Sequence, residues 1–202
     1  MRTWRKKIIV GLLIILIFTG LGYGAYYIIT FPQRYPNRTL VIEAQFVNFF
    51  HSVTWPIKVA KLYQQEPDTE IIMPVYGARR RQVADTWLAP RDQDRQHEGQ
   101  DIFAARGTPI FSGTRGYLLK FSDSAIGGNS VYIIGAGGRI YFYTHLDRFA
   151  DGLQVGQLIT TDTTIGFVGN TGNAQTTPAH LHLGMYQGEA ALDPLPLLVD
   201  RP

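Results

Sequence analysis

Residues 164–183 read TIGFVGNTGNAQTTPAHLHL and place two strand-like runs on either side of a glycine-containing turn. In the second run, His180 and His182 alternate with Leu181 and Leu183. Side chains two positions apart on a β-strand point to the same face. We therefore expect both imidazoles to project side by side on one face, while Leu181 turns into the core.

Short apolar runs and glycine turns continue on the N-terminal side of this stretch. Together they predict a mainly β fold, a compact antiparallel β-sheet domain over residues 70–202. Gly135-Ala136-Gly137-Gly138 separates two of the runs and predicts a hairpin turn. The predicted strands are Ile71–Val75, Gly116–Phe121, Val131–Gly135, Arg139–His145, Gln157–Thr161, Thr164–Val168 and His180–Tyr186.

The composition excludes several classes of chemistry. The chain has 202 residues, 45% of them hydrophobic, and no cysteine. A disulfide framework, a thiolate metal site and a cysteine nucleophile are therefore ruled out. The net charge of +3 comes from Arg2, Arg5, Lys6 and Lys7, because without them 15 basic residues stand against 16 acidic ones. Such a short basic tag gives no support to nucleic-acid binding, and we expect no nucleic-acid partner.

The N-terminal region, residues 1–31, has the pattern of a basic cytoplasmic tag followed by a transmembrane signal anchor. Ile8–Phe31 is a run of 24 residues without a formal charge, long enough as a helix to cross a bilayer. Basic residues before the run favour a single-pass protein of the inner (cytoplasmic) membrane, with the rest of the chain in the periplasm. A cleaved signal peptide is the alternative, since Gly22 and Gly24 offer small residues for cleavage.

Residues 32–69 form a juxtamembrane linker between this anchor and the β domain. Pro32–Arg38 has the composition of a linker, and Leu40–Gln64 is rich in apolar and aromatic residues with a break at Trp55-Pro56. The pattern predicts two short helices, the second with Pro56 in its first turn. These helices either pack on the main domain or act as an arm that binds the membrane surface or a partner.

Four of the five histidines lie in short polar patterns. His97-Glu98-Gly99-Gln100-Asp101 comes first, Tyr143-Thr144-His145-Leu146 second and the His180/His182 pair third. Imidazole and carboxylate are the ligands that zinc accepts when thiolate is absent. The first pattern lacks the second histidine of a helical zinc motif, so Glu98 is not assigned as a general base. A turn can still bring His97 and Asp101 onto one ion.

Taken together, the patterns resemble the lysostaphin/LytM-type zinc metalloendopeptidases, which cut peptide bridges in bacterial peptidoglycan. The resemblance covers about residues 71–198, and the order of the motifs, their spacing and their flanking glycines agree. The matching segments are Met73-Pro74-Val75 with Gly77, His97-x-Gly99-x-Asp101-Ile102, Gly107-Thr108-Pro109-Ile110, Tyr143-x-His145-Leu146, Gly152–Gln157, Ile165–Gly172, His180-Leu181-His182-Leu183 and Asp193-Pro194.

The resemblance implies a zinc-containing groove and assigns roles to the histidines. It makes His97, Asp101 and His182 the ligands of one Zn²⁺ per chain, and His145 and His180 the catalytic pair. Three protein ligands leave a fourth zinc position open, as catalytic sites require. The implied activity is hydrolysis of peptide cross-links between peptidoglycan stem peptides, and the predicted inner-membrane anchor favours D-alanyl–diaminopimelate bonds.

The sequence departs from the family pattern around its last motif. Thr176-Thr177-Pro178-Ala179 precedes it where a glycine-proline pair is more common. Leu183-Gly184-Met185 follows the second histidine where aromatic and acidic residues are common. These changes alter the wall of the cleft and leave the ligands untouched.

Two other function classes compete with a hydrolase. A catalytically silent relative that binds and activates a cell-wall amidase is possible on the same fold, although the intact ligands count against it. A biotinyl or lipoyl carrier domain needs a lysine on an exposed hairpin. Lys120 is the only lysine after Lys61 and lies within a strand-like run, so the carrier is set aside.

Overall fold

The computed structural model describes residues 54–91 and 95–202, in which Pro56–Pro202 form one compact unit. The predicted membrane segment, the linker up to residue 53 and the first of the two predicted helices lie outside these residues. Within the described ranges, no helix has both the length and the apolar character needed to cross a bilayer.

One helix of the linker is described. Residues 54–63 are helical, so Thr54 and Trp55 belong to the same helix as Pro56. A proline near the start of a helix is tolerated because no intrahelical acceptor is needed for its missing N–H. Leu62 is buried, and the ring of Tyr63 packs against the backbone at Gly138.

The domain is built on a nine-stranded sheet whose pairs are antiparallel, as predicted. The strands are β1 (Ile71–Ile72), β2 (Gln100–Phe103), β3 (Pro109–Phe111), β4 (Gly116–Ser124), β5 (Gly128–Gly135), β6 (Ile140–Phe149), β7 (Leu158–Ile159), β8 (Thr164–Val168), β9 (His180–Gln187), β10 (Ala190–Leu192) and β11 (Leu198–Val199). The central path of the sheet runs β10-β9-β6-β5-β4-β7; in addition β2 pairs with β9, β8 pairs with β6 and β3 pairs with β8. A separate parallel pair joins β1 to β11.

The predicted alternation on β9 is confirmed. Leu181 and Leu183 are fully buried in the hydrophobic core, whereas His180 and His182 lie on the opposite face. The predicted turn at Gly135–Gly138 is also confirmed as the connection between β5 and β6, which contains a short 3₁₀ turn at Ala136–Gly138. Strand β8 has the bounds that the sequence predicts.

The register of β9 positions the polar residues. On one side β2 places Asp101 opposite His182 and Phe103 opposite His180. On the other side β6 places Thr144 opposite His182. Because paired residues share a face, residues from three patterns that are far apart in the chain meet on one surface.

Asp68 attaches the end of the linker to this domain. Its Oδ2 accepts hydrogen bonds from the Tyr141 hydroxyl at 2.7 Å and from the Thr114 hydroxyl. Arg139 donates to the Asp68 carbonyl at 2.8 Å. The linker therefore enters the domain through bonds to the buried side chain of Tyr141.

Candidate metal centre

Three ligand-type atoms from two parts of the chain converge at one point. His97 Nε2 lies 2.8 Å from His182 Nδ1 and 3.1 Å from Asp101 Oδ1. His182 Nδ1 lies 3.1 Å from the same carboxylate oxygen. The three residues can hold one metal ion, and they are the set that the sequence pointed to as zinc ligands.

A folded-back loop positions His97. The Leu88 N–H donates to the His97 carbonyl, and the His97 N–H donates to the Ala89 carbonyl, so two bonds fix its backbone. The side-chain Nδ1–H donates to the Thr86 carbonyl at 2.8 Å. A carbonyl can only accept, so the proton of the neutral ring is on Nδ1 and the lone pair of Nε2 faces the other ligands.

Gly99 is required by the ring of His182. A Cβ at this position would lie 2.6 Å from His182 Cε1 and 2.6 Å from the Leu183 carbonyl oxygen. Neither group can move without disturbing β9. Glycine therefore lets β2 approach closely enough for Asp101 to reach His182.

Arg91 contacts the ligand set in a way that the sequence analysis did not foresee. Its guanidinium lies 2.6 Å from Asp101 Oδ2, while Oδ1 faces the two imidazoles. The arginine therefore fixes the rotation of a buried carboxylate. No sequence signal identified it, because Arg91 lies in a loop six positions before His97 without a recognisable motif.

The environment keeps this carboxylate ionised. Burial raises the pKa of Asp101, but the carboxylate accepts hydrogen bonds from the His182 and His97 rings when these carry a proton towards it, and this outweighs burial and brings the pKa well below its usual range. Burial lowers the pKa of His182. An ionised carboxylate beside a neutral imidazole is the protonation state that binds a metal cation.

The two remaining histidines of the patterns lie beside the ligands. The ring of His145 is centred 5.0 Å from that of His180 and 6.0 Å from that of His182. His180 Nε2 is 3.8 Å from Asp101 Oδ1. Both rings donate Nδ1–H to backbone carbonyls, His145 to Thr171 and His180 to Pro178, so each neutral ring has its lone pair on Nε2.

His145 has an unusual backbone. Its φ is +64°, a conformation that costs a residue with a Cβ roughly 1 kcal/mol or more. Its N–H donates to the Gly127 carbonyl at 2.9 Å, which anchors the β4–β5 hairpin to this residue. Burial lowers the pKa of the ring to about 4, so the imidazole is neutral at neutral pH.

The five residues of the candidate site, which are His97, Asp101, His145, His180 and His182, lie in a region that matches a known protein family. Residues 95–194, which contain all five of these residues, match peptidase family M23. This stretch is a peptidase family M23 domain.

Relatives of the M23 domain include enzymes and a solved structure. It is 35% identical over 113 residues to the L-Ala–D-Glu endopeptidase of Bacillus subtilis, a match covering 52% of this chain and 35% of that enzyme. It is 37% identical over 90 residues to the peptidoglycan DD-endopeptidase ShyC of Vibrio cholerae, covering 45% and 20%. The matches span about a third or less of these curated relatives.

The M23 domain also superposes on the catalytic domain of the antimicrobial peptidase lysostaphin from Staphylococcus simulans. The TM-score is 0.51 at 27% identity, and the match covers 57% of this chain and 90% of that domain. The LytM-type fold expected from the sequence motifs is thereby confirmed.

Proposed function

We propose that this protein is a zinc-dependent endopeptidase that hydrolyses peptide cross-links in bacterial peptidoglycan. The observation that supports this most directly is the convergence of His97, Asp101 and His182 beside two further histidines, all within an M23 domain. The Vibrio cholerae relative is named as a peptidoglycan DD-endopeptidase, which agrees with a peptidoglycan substrate.

The donor set suits zinc. Two imidazole nitrogens and one carboxylate oxygen form a three-ligand set of the kind found in catalytic zinc sites, which keep one further position open. When bound, zinc polarises a carbonyl and makes water a stronger nucleophile at neutral pH. The hydrogen bond from His97 to Thr86 fixes the ring for this role.

His145 and His180 are proposed as the groups that move protons. Each has its lone pair on Nε2, so each can accept a proton from water or, once protonated, donate one to the departing amine. The neutral state of His145 at neutral pH suits acceptance. A ring that instead donates to the carbonyl oxygen stabilises the negative charge that develops there.

The site favours peptide over glycan hydrolysis. A glycosidase normally needs two carboxyl groups that flank a sugar bond, one of them a proton donor. Asp101 cannot serve as that donor, because its pKa lies well below the usual range and its carboxylate stays ionised. We therefore assign the reaction to an amide bond.

Among peptide bonds, we propose the D-alanyl–diaminopimelate cross-link. The support is the predicted inner-membrane anchor, together with 37% identity to a relative named as a DD-endopeptidase. The Bacillus relative is named for a different bond, L-Ala–D-Glu, and that bond is the competing outcome of the test.

We also propose that Ile8–Phe31 anchors the chain in the inner membrane with the M23 domain in the periplasm. The charge asymmetry around this segment supports that orientation. A reporter that works only in the cytoplasm should be inactive when fused to the C-terminus. Recovery of the protein from the soluble periplasmic fraction with a new N-terminus near Ala25 would contradict the anchor.

Digestion of purified sacculi tests the reaction. The zinc-loaded full chain should convert cross-linked muropeptide dimers to monomers without creating reducing sugar ends. A chelator should stop the reaction, and added zinc should restore it. Reducing ends without loss of dimers would contradict the reaction class, and release of L-Ala–D-Glu cleavage products alone would contradict the bond.

A further inference from the structure

A row of side chains leads from the metal centre across the sheet to Lys120. The strand register pairs Lys120 on β4 with Tyr132 on β5, and Tyr132 with Phe142 on β6. Phe142 lies opposite Gly184, which is two positions from His182 on β9. Directly paired residues share a face, so the whole row lies on the face that carries the metal centre.

The members of this row touch one another in sequence. The Lys120 ammonium is 4.2 Å from the centre of the Tyr132 ring. The rings of Tyr132 and Phe142 stack with centroids 4.3 Å apart, and the Phe142 ring is centred 6.5 Å from that of His182. The row is therefore a continuous platform from the ligand His182 to an exposed cation.

Gly184 keeps a side chain out of this platform. A Cβ there would lie 3.3 Å from the Tyr186 ring and 3.4 Å from the Phe142 ring. Any larger residue would extend over Phe142, directly beside His182. Glycine thus leaves the path from the metal centre to the aromatic rings open.

The far end of the row carries the exposed positive charge of Lys120. In the described parts of the chain, no carboxylate lies within ion-pair distance of Lys120, which is held against Tyr132. Asp123 lies on the same strand, but its odd spacing from Lys120 points it to the other face. An exposed ammonium over an aromatic ring remains available for a second, anionic partner.

We propose that this row is a substrate subsite in which Lys120 binds a free carboxylate of the stem peptide while Tyr132 and Phe142 support its aliphatic part. The proposal rests on the proposed function. Lys120 is three strand spacings from β9, which is ~14 Å. An extended peptide covers that distance in about four residues. The carboxylate that Lys120 binds therefore belongs to the peptide being cleaved and not to a distant glycan chain.

Paired peptides and matched variants test the subsite. The probes are two versions of a short D-alanyl–diaminopimelate cross-linked peptide, one with its free carboxylates and one with those groups amidated. Affinities are measured by calorimetry on the full chain in chelator, where no hydrolysis occurs. KM and kcat are then measured on the zinc-loaded protein.

The wild-type protein should bind the carboxylate form about fivefold more tightly than the amidated form. Lys120→Met should bind both forms equally, and Lys120→Arg should retain the preference. In kinetics, Lys120→Met should raise KM for the carboxylate form with little change in kcat. Lys58→Met is the matched control, because Lys58 also lies over a tyrosine, Tyr117, but outside the row.

The outcomes separate this inference from the proposed function. Equal binding of both peptides by the wild type, or a preference that survives in Lys120→Met, would overturn the subsite. Binding of a peptide-free disaccharide by the wild type but not by Lys120→Met would also overturn the subsite, because Lys120 would then bind the glycan and not the peptide. If the wild type binds the carboxylate form more tightly than the amidated form but hydrolyses no cross-link, the result would support the subsite and overturn the proposed function.

Discussion

The guanidinium of Arg91 binds the oxygen of Asp101 that faces away from the histidines, at 2.6 Å. A group behind a metal ligand usually fixes its orientation, and its loss typically costs about 10–100-fold in metal affinity. We expect Arg91→Gln to weaken zinc binding by that factor, measured by competition with a chromophoric chelator. Arg106→Gln, which breaks the exposed pair with Asp147, is the control and should leave zinc affinity unchanged.

Removing a proposed ligand should remove the metal. His182→Ala removes one of the three donors, and Asp101→Asn replaces an anionic oxygen with a neutral amide, so both variants should lose most of their zinc by elemental analysis. His145→Ala should keep one zinc per chain, because its ring lies beside the ligand atoms and not among them. Full zinc content in both ligand variants would disprove the assignment.

The proposed proton-transfer residues should affect rate and not metal content. Replacing His145 or His180 with alanine should lower kcat on cross-linked muropeptides by about 10²–10⁴-fold. Zinc content and the thermal midpoint serve as controls. Near wild-type turnover in either variant would show that its imidazole takes no part in the reaction.

Asp68 should contribute to stability far from the site. Asp68→Ala leaves the buried Tyr141 hydroxyl and Thr114 hydroxyl without their shared acceptor, at a cost of about 2–3 kcal/mol. Denaturant unfolding of the full chain measures the change. The control, Asp162→Ala, removes an exposed carboxylate 4.0 Å from Arg201 Nη1 and should cost under ~1 kcal/mol.

Tyr143 should make the domain sensitive to alkali. Burial raises the pKa of its hydroxyl from 10.0 to about 12. Between these values the unfolded chain loses the proton and the folded one keeps it, so the free energy of unfolding falls as pH rises, by up to about 1.4 kcal/mol per pH unit. Below pH 10 this loss is absent.

The variant Tyr143→Phe separates this effect from general alkaline unfolding. It should be less stable at neutral pH, because the Gly113 N–H loses its acceptor. Its stability should then decline less steeply than that of the wild type above pH 10. An identical decline in both proteins would contradict the role of this hydroxyl.

The sequence predicted those parts of the fold in which side-chain alternation is clear. Strand β8 and the alternation of His180 and Leu181 follow directly from it. Strand β2 was missed as a strand, because Gln100 and Asp101 are polar and yet buried. Gln100 is accommodated there by donating to Asp85 and Asp193, a long-range arrangement that periodicity cannot reveal.

The residues of the candidate metal centre were also predictable, whereas their supporting contacts were not. The resemblance of the motifs to LytM-type enzymes was enough to nominate the three residues that the structure brings together. The contact between Arg91 and Asp101 and the positive φ of His145 depend on loop conformation, which no local pattern encodes. The short pair β1–β11 likewise depends on contacts between the two ends of the domain.

That pair has a mechanical consequence. Strands β1 and β11 run parallel, with Ile71 beside Leu198 and a bond from the Met73 N–H to the Val199 carbonyl. Tension applied between the N-terminal linker and the C-terminus pulls the two strands along their length in opposite directions. Their hydrogen bonds are then loaded together in shear instead of one after another. A pull on both ends must therefore overcome the combined strength of these bonds before the force reaches the sheet that carries His182.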